Sequence, residues 1–168
     1  DFWSNIGLSE IEIYGEESDI EAAENKNHVN AAGVTAEAST TEASSLPVSN
    51  IKDGNNQTRW ASDYSEASKQ TVTVTFPKVT LVKELDFDLH TRDVAPMPSN
   101  VKSFDLVYAD AAGTEHTVKI SNAKSTESGK TGYVTNVQHI FETPVYMKSF
   151  KMTNFDLQID IEGQNGYN

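Results

Sequence analysis

The sequence predicts an all-β chain folded as an antiparallel β-sandwich or jelly roll. Apolar residues recur at every second position in run after run, turn-forming residues separate the runs, and helical spacing is almost absent. The stretch 16–30 is acidic and reads as a linker, with residues 18–25 its one plausible helix. In QTVTVTF, Val72, Val74 and Phe76 alternate with threonines, the period of a half-buried strand. Leu85, Phe87 and Leu89 alternate with Glu84, Asp86, Asp88 and His90. Phe104, Leu106 and Tyr108 repeat the pattern before a turn at Asp110, Ala111, Ala112 and Gly113. Further strands are expected over 117–120, 133–141 and 145–153. Pro47, Pro77, Pro96, Pro98 and Pro144 are expected between these runs, where a missing N–H costs no ladder bond.

Composition narrows the function classes. A chain of 168 residues with 37% apolar content and seven Phe can bury a full core as one domain, with room for an extension. It has no cysteine, which removes disulfides, thiolate zinc sites and cysteine nucleophiles. The net charge of -12 opposes both nucleic acid and anionic membrane surfaces as partners. No apolar run approaches the length of a membrane span, and no signal peptide is present. The start at Asp1 suggests a piece excised from a longer protein. Abundant Ser, Thr and Asn with few Lys suit a secreted bacterial module.

The stretch NIKDGNNQTRW, residues 50–60, concentrates oxygen donors in a tight turn. Asp53, Asn55 and Thr58 lie close together, and Gly54 lets the backbone bend so that carbonyls converge with side chains. A hard cation such as calcium takes about 6–8 oxygens at once, which a loop of this composition can offer. The alternative is an Asx-type turn that holds no ion. Asn56, Gln57 and Thr58 also spell a glycosylation acceptor, but the loop accounts for Thr58 better. Trp60 opens a strand and is expected in the core.

Enzyme signatures are missing. His28, His90, His116 and His139 are scattered without metal-ligand spacing, and no GxSxG elbow occurs. SGKT at 128–131 fails as a phosphate loop because Lys124 stands where the leading glycine belongs. The 25 acidic residues mostly alternate on exposed faces, as solvated side chains do.

Residues 32–154 resemble a discoidin, or coagulation factor type C, domain, and within that group the bacterial carbohydrate-binding modules of family 32. The pieces that carry the likeness come in order: VTAEAS with SSLPVSNIKDGNNQTRWAS, then QTVTVTF, LVKELDFDLHTR, NVKSFDLVYADAAGTEHTVKI and TPVYMKSFKMTN. IGLSEIEIYG is similar to the family's closing strand, yet it stands at the start, over 6–15. Either it is the tail of a preceding tandem copy, or it fills the vacant place in the sandwich by circular permutation or by strand exchange between copies. A missing strand would leave buried backbone groups unpaired at roughly 1–3 kcal/mol each, which favours a filled vacancy. The expected organisation is therefore a closing strand over 1–15, an acidic linker over 16–30, and a module over 31–168 that lacks its own last strand.

The resemblance implies a calcium ion with a structural role. Asp53 and Thr58 would supply side-chain ligands, Asn50 and Asn55 carbonyl oxygens, and Glu10 of the closing strand the remaining carboxylate. It also implies a sugar site on the loops at one end of the sandwich, where an aromatic ring stacks on the sugar while polar groups grip its hydroxyls. Tyr64, Arg92 and Asn100 match family positions for that site, with His90 nearby and Trp3 or Phe2 from the N-terminal segment. Tyr167 is the rival aromatic if the chain is merely cut short. Plainer roles compete: Tyr64 could cover the sandwich edge, Arg92 could pair with Asp88 or Asp93, and His90 could be simple surface. Ala61 stands where many galactose binders carry histidine, so a simple galactose specificity is not implied. The resulting expectation is a non-catalytic glycan-binding module of a larger secreted or surface enzyme. The alternative is a structural or adhesion module that binds a protein or its own copies by strand exchange.

Overall fold

The alternating runs of the sequence all lie in strands, those on either side of Pro77 sharing one strand and those on either side of Pro144 another. Most of the strands share one antiparallel ladder. The computed structural model describes residues 3–17, 26–27, 29, 31–63, 65–90, 99–125 and 134–159. In chain order the strands are β1 (Trp3–Ser4), β2 (Gly7–Glu17), β3 (Lys26–Asn27), β4 (Thr35–Ala38), β5 (Trp60–Ala61), β6 (Ser65–Glu66), β7 (Val72–His90), β8 (Ser99–Ala109), β9 (Glu115–Ser121) and β10 (Val134–Ile159). Short 3-10 turns occupy Val48–Lys52 and Ala67–Lys69. The expected helix over 18–25 lies outside the described residues. Of the stretch expected as linker, Lys26 and Asn27 pair with Gly15 and Tyr14 as an added edge strand.

The ladder runs β3-β2-β7-β10-β8-β9, with β4 on β7 and β5 on β2. Two of its strands are long enough to serve both layers of a sandwich. The first part of β7, Val72 to Thr75, pairs with β4 and with Ser149 to Met152 of β10. The rest, Thr80 to His90, pairs with β2 on one side and with Val134 to Met147 on the other. The layers meet at aromatic side chains. Phe87 packs edge-on against Phe104 at 5.1 Å and Phe150 at 6.4 Å, while Phe76 meets Phe150 at 6.3 Å. Trp60 is fully buried, and its indole N–H donates to the Thr40 carbonyl at 3.0 Å.

Two prolines expected between strands lie inside them. Pro77 belongs to β7 and Pro144 to β10. Both sit where the β7–β10 register shifts, between Met147 and Ser149 for the first and between Ile140 and Val145 for the second. No ladder partner is displaced there, so a residue without an N–H is tolerated. Pro96 and Pro98 lie outside the described residues.

The displaced N-terminal segment joins the sheet within the same chain. β2 pairs antiparallel with β7 from Gly7 opposite His90 to Glu17 opposite Thr80. A bulge between Leu8 and Glu10 shifts the alternation, so Leu8, Ile11 and Ile13 all face the core. Gly7 is needed where β2 crosses the end of β7. A Cβ there would lie 3.0 Å from the His90 carbonyl oxygen and 3.2 Å from its Cβ. Gly7→Ala is expected to cost about 1–3 kcal/mol by overpacking, read as a lower midpoint in chemical denaturation.

On the outer face, Glu12 stands opposite Asp86, and Glu84 precedes Asp86 by two residues in β7. Burial, reinforced by Glu84 and Glu12, raises the Asp86 carboxyl from 3.8 to about 6. Because the folded value exceeds the unfolded one, this group's contribution to stability is full below about pH 4 and is lost as pH rises through 6. Asp86→Asn should raise the melting temperature by a few degrees at pH 8 and leave it unchanged at pH 4. A parallel offset at both pH values would contradict this account.

Candidate functional site

The 3-10 turn Val48–Lys52 ends at Asp53, and Gly54 follows with φ 75°, a value that strains any side-chain-bearing residue. The loop then closes on itself. Asp53 Oδ1 accepts the Asn55 N–H at 2.9 Å, and Asp53 Oδ2 accepts the Thr58 hydroxyl at 2.8 Å. Thr58 Oγ1 also lies 2.8 Å from the Asn55 carbonyl oxygen, which accepts the Thr58 N–H at 3.0 Å. Asn50 braces the base of the loop, its amide donating to the Arg59 carbonyl at 2.8 Å. Oxygens of Asp53, Asn55 and Thr58 thus converge, as expected from the sequence.

Glu10 reaches this loop from β2. Its Oε2 accepts the Gly54 N–H at 3.0 Å, while Oε1 is buried with no hydrogen-bond partner among the described residues. The side chain is only 5% exposed, and burial together with the nearby Asp53 charge lifts its carboxyl from 4.5 to about 7. A buried, half-satisfied carboxylate beside a converging oxygen set is what a divalent cation would complete. The residues present fit such an ion: Glu10 and Asp53 would supply charge, and Thr58 and backbone carbonyls near Asn50 and Asn55 neutral oxygens.

Two of the second group of expected residues, His90 and Asn100, stand on strand ends of the described sheet. Ladder register places the start of β2 (Gly7), the end of β7 (His90) and the start of β10 (Val134) side by side. The start of β8 (Ser99) lies opposite the end of β10 (Ile159). His90 is half-buried. Asn100 pairs in register with Gln158 and is 1% exposed, and neither its amide oxygen nor its nitrogen has a partner among the described residues. β1 places the backbone of Trp3 opposite Glu66 of β6, in a two-stranded sheet separate from the main ladder. Phe2, Tyr64, Arg92 and Tyr167 lie outside the described residues. Asp88, a candidate partner for Arg92, accepts a hydrogen bond from Asn136 at 2.9 Å. Ala61 is buried in β5, opposite Gly7.

Two buried polar networks had no signal in the sequence. In one, the Gln70 side chain accepts from Ser39 at 2.7 Å and Thr40 at 2.6 Å and donates to Ser65, so it pins the loops that flank Trp60. In the other, Asn122 joins β8 to β10 through Val101 and Thr135. Their members are far apart in the chain, and no local pattern links them.

An antiparallel sandwich whose long strands serve both layers is the architecture of a discoidin-like β-sandwich. The chain belongs to the F5/8 type C domain family, whose model matches residues 35–165. No curated protein sequence matches it. Among solved structures it is similar to the family 32 carbohydrate-binding module of NanJ from C. perfringens, in complex with galactose. That likeness is 19% in sequence with a TM-score of 0.54, over 78% of this chain and 91% of the other. It is also similar to CBM32-1 from a family 31 glycoside hydrolase of Clostridium perfringens, at 18% identity and a TM-score of 0.54, over 76% of this chain and 89% of that one. At these identities the shared property is the fold. No helix among the described residues is long and apolar enough to cross a membrane.

Proposed function

We propose that the chain is a non-catalytic carbohydrate-binding module of a secreted or cell-surface bacterial protein, and that it holds a glycan-active enzyme near its substrate. One observation carries the proposal: His90 and Asn100 stand on strand ends of a sandwich that shares its fold with carbohydrate-binding modules, and neither polar atom of the buried Asn100 amide has a partner among the described residues. Such an amide costs roughly 1–3 kcal/mol for each unsatisfied group, and a hydroxyl-rich ligand offers the donors and acceptors that would recover it. Trp3, Tyr64 and Arg92 join this site by the family's pattern, with an aromatic ring to stack on the sugar and a guanidinium to fix its orientation. The contacts are few and reversible. Their effect is to raise the local concentration of the attached enzyme, and further copies on one chain would multiply it.

A calcium ion at Glu10, Asp53 and Thr58, with the carbonyls near Asn50 and Asn55, belongs to the same proposal. When bound, it would neutralise the two carboxylates and lock the 53–58 loop onto β2, a structural role that takes no part in sugar contact.

A glycan array followed by titration calorimetry tests the proposal. The chain should bind at least one glycan class, and Asn100→Ala should lose about tenfold or more in affinity with its fold intact. An array that stays silent across all classes overturns it.

A further inference from the structure

Sheet pairing alone does not fix the spacing of His90 and Asn100. β7 and β8 are not neighbours, because β10 lies between them. His90 is opposite Val134, at the start of β10, whereas Asn100 is opposite Gln158, near its end. The ladder path between them therefore runs along nearly all of a 26-residue strand that carries several register shifts. Small twists along that path would add up at the site.

A shorter path between the two strand ends runs through a buried side chain. Asn122 follows β9 and is 5% exposed. Its Nδ2 donates to the Val101 carbonyl at 2.9 Å and to Thr135 Oγ1 at 3.0 Å, and its Oδ1 accepts the Lys124 N–H at 3.0 Å. Its own N–H donates to the Lys102 carbonyl at 2.9 Å. Thr135 is 1% exposed and lies opposite Leu89, whose carbonyl receives the threonine hydroxyl at a long 3.5 Å. Val101 is the chain neighbour of Asn100, and Leu89 is the chain neighbour of His90. The bridge Leu89–Thr135–Asn122–Val101 thus ties together the backbone beside both candidate ligand residues.

We infer that Asn122 is a positioning residue of the sugar site, one that sets the separation of His90 and Asn100 and so the hydroxyl pattern the site accepts. The inference rests on the proposed glycan-binding function. A satisfied buried network has one low-energy arrangement, which is what a site that reads hydroxyl positions requires.

The test uses the full chain with three substitutions, Asn122→Ala, the near-isosteric Thr135→Val and Asn100→Ala, and the double variant of the first and last. Galactose is the first titration probe and the glycan array the second. Asn122→Ala should lower affinity about tenfold and Thr135→Val about threefold, with a changed rank order of array glycans. If Asn122 acts through Asn100, the losses are not additive, and Asn122→Ala placed on Asn100→Ala costs little more. Additive losses, or an unchanged rank order in folded variants, overturn the inference. In the free chain, Asn122→Ala and Thr135→Val should also move the NMR signals of the Asn100 side-chain amide and the His90 ring. Unmoved signals overturn the bridge itself. A parent chain that binds no glycan removes the ligand role instead, so the two failures are distinguishable.

Discussion

Deleting residues 1–15 should abolish cooperative folding. The deleted segment contains Ile6, Leu8, Ile11 and Ile13, each no more than 1% exposed. Full burial of such a side chain contributes about 1.5–3 kcal/mol, so the group is worth about 6–12 kcal/mol, comparable to the entire stability of a domain. The loss would go beyond burial. β7 would keep its pairing with β10 but lose its β2 ladder, leaving an apolar edge with unsatisfied backbone groups. Circular dichroism of the truncated chain should show no sharp thermal transition. Ile11→Ala offers a graded version, with an expected loss of about 2–5 kcal/mol in denaturant titration. A truncated chain that melts cooperatively near the parent's temperature would refute the structural role of β2.

This strand also shows how much the sequence could convey. Its strand character was legible from IGLSEIEIYG, although the segment lies outside the residues covered by the family model. Its alternation was only half legible. Strict period-2 spacing would put Leu8 and Glu10 on one face, but the bulge at Ser9 puts Leu8 inward with Ile11 and sends Glu10 to the 53–58 loop. A bulge is set by the partner strand's geometry, and a single strand's sequence carries no mark of it. The same holds for Pro77 and Pro144, which read as strand breaks because local sequence does not reveal where a ladder already skips a partner. The oxygen-rich loop was legible because Asp53, Gly54, Asn55 and Thr58 are close in the chain. Asn122 was not, since its partners stand 21 and 13 residues away and asparagine before a turn is unremarkable.

Removing calcium should lower the melting temperature by several degrees, and Glu10 should decide whether it does. A cation present at a hundred times its dissociation constant stabilises by about 2.7 kcal/mol, which for a chain of this size corresponds to about 5–10 °C. A melt in millimolar calcium at pH 8, compared with one in excess chelator, reads this difference. The direction for Glu10→Gln is less obvious and more informative. In the chelated parent, Glu10 is a buried carboxylate with one oxygen unpartnered among the described residues and the Asp53 charge close by, an arrangement that destabilises the ionised form. Glutamine keeps the shape and an acceptor for the Gly54 N–H but carries no charge. The variant should therefore melt at or above the chelated parent, yet gain almost nothing from calcium. Asp53→Asn should also lose the calcium response, but without that gain, because Asp53 is exposed and its two oxygens already accept from Asn55 and Thr58. If the parent melts identically with calcium and with chelator, the loop holds no such ion. Its oxygens would then serve only the Asx turn they already close.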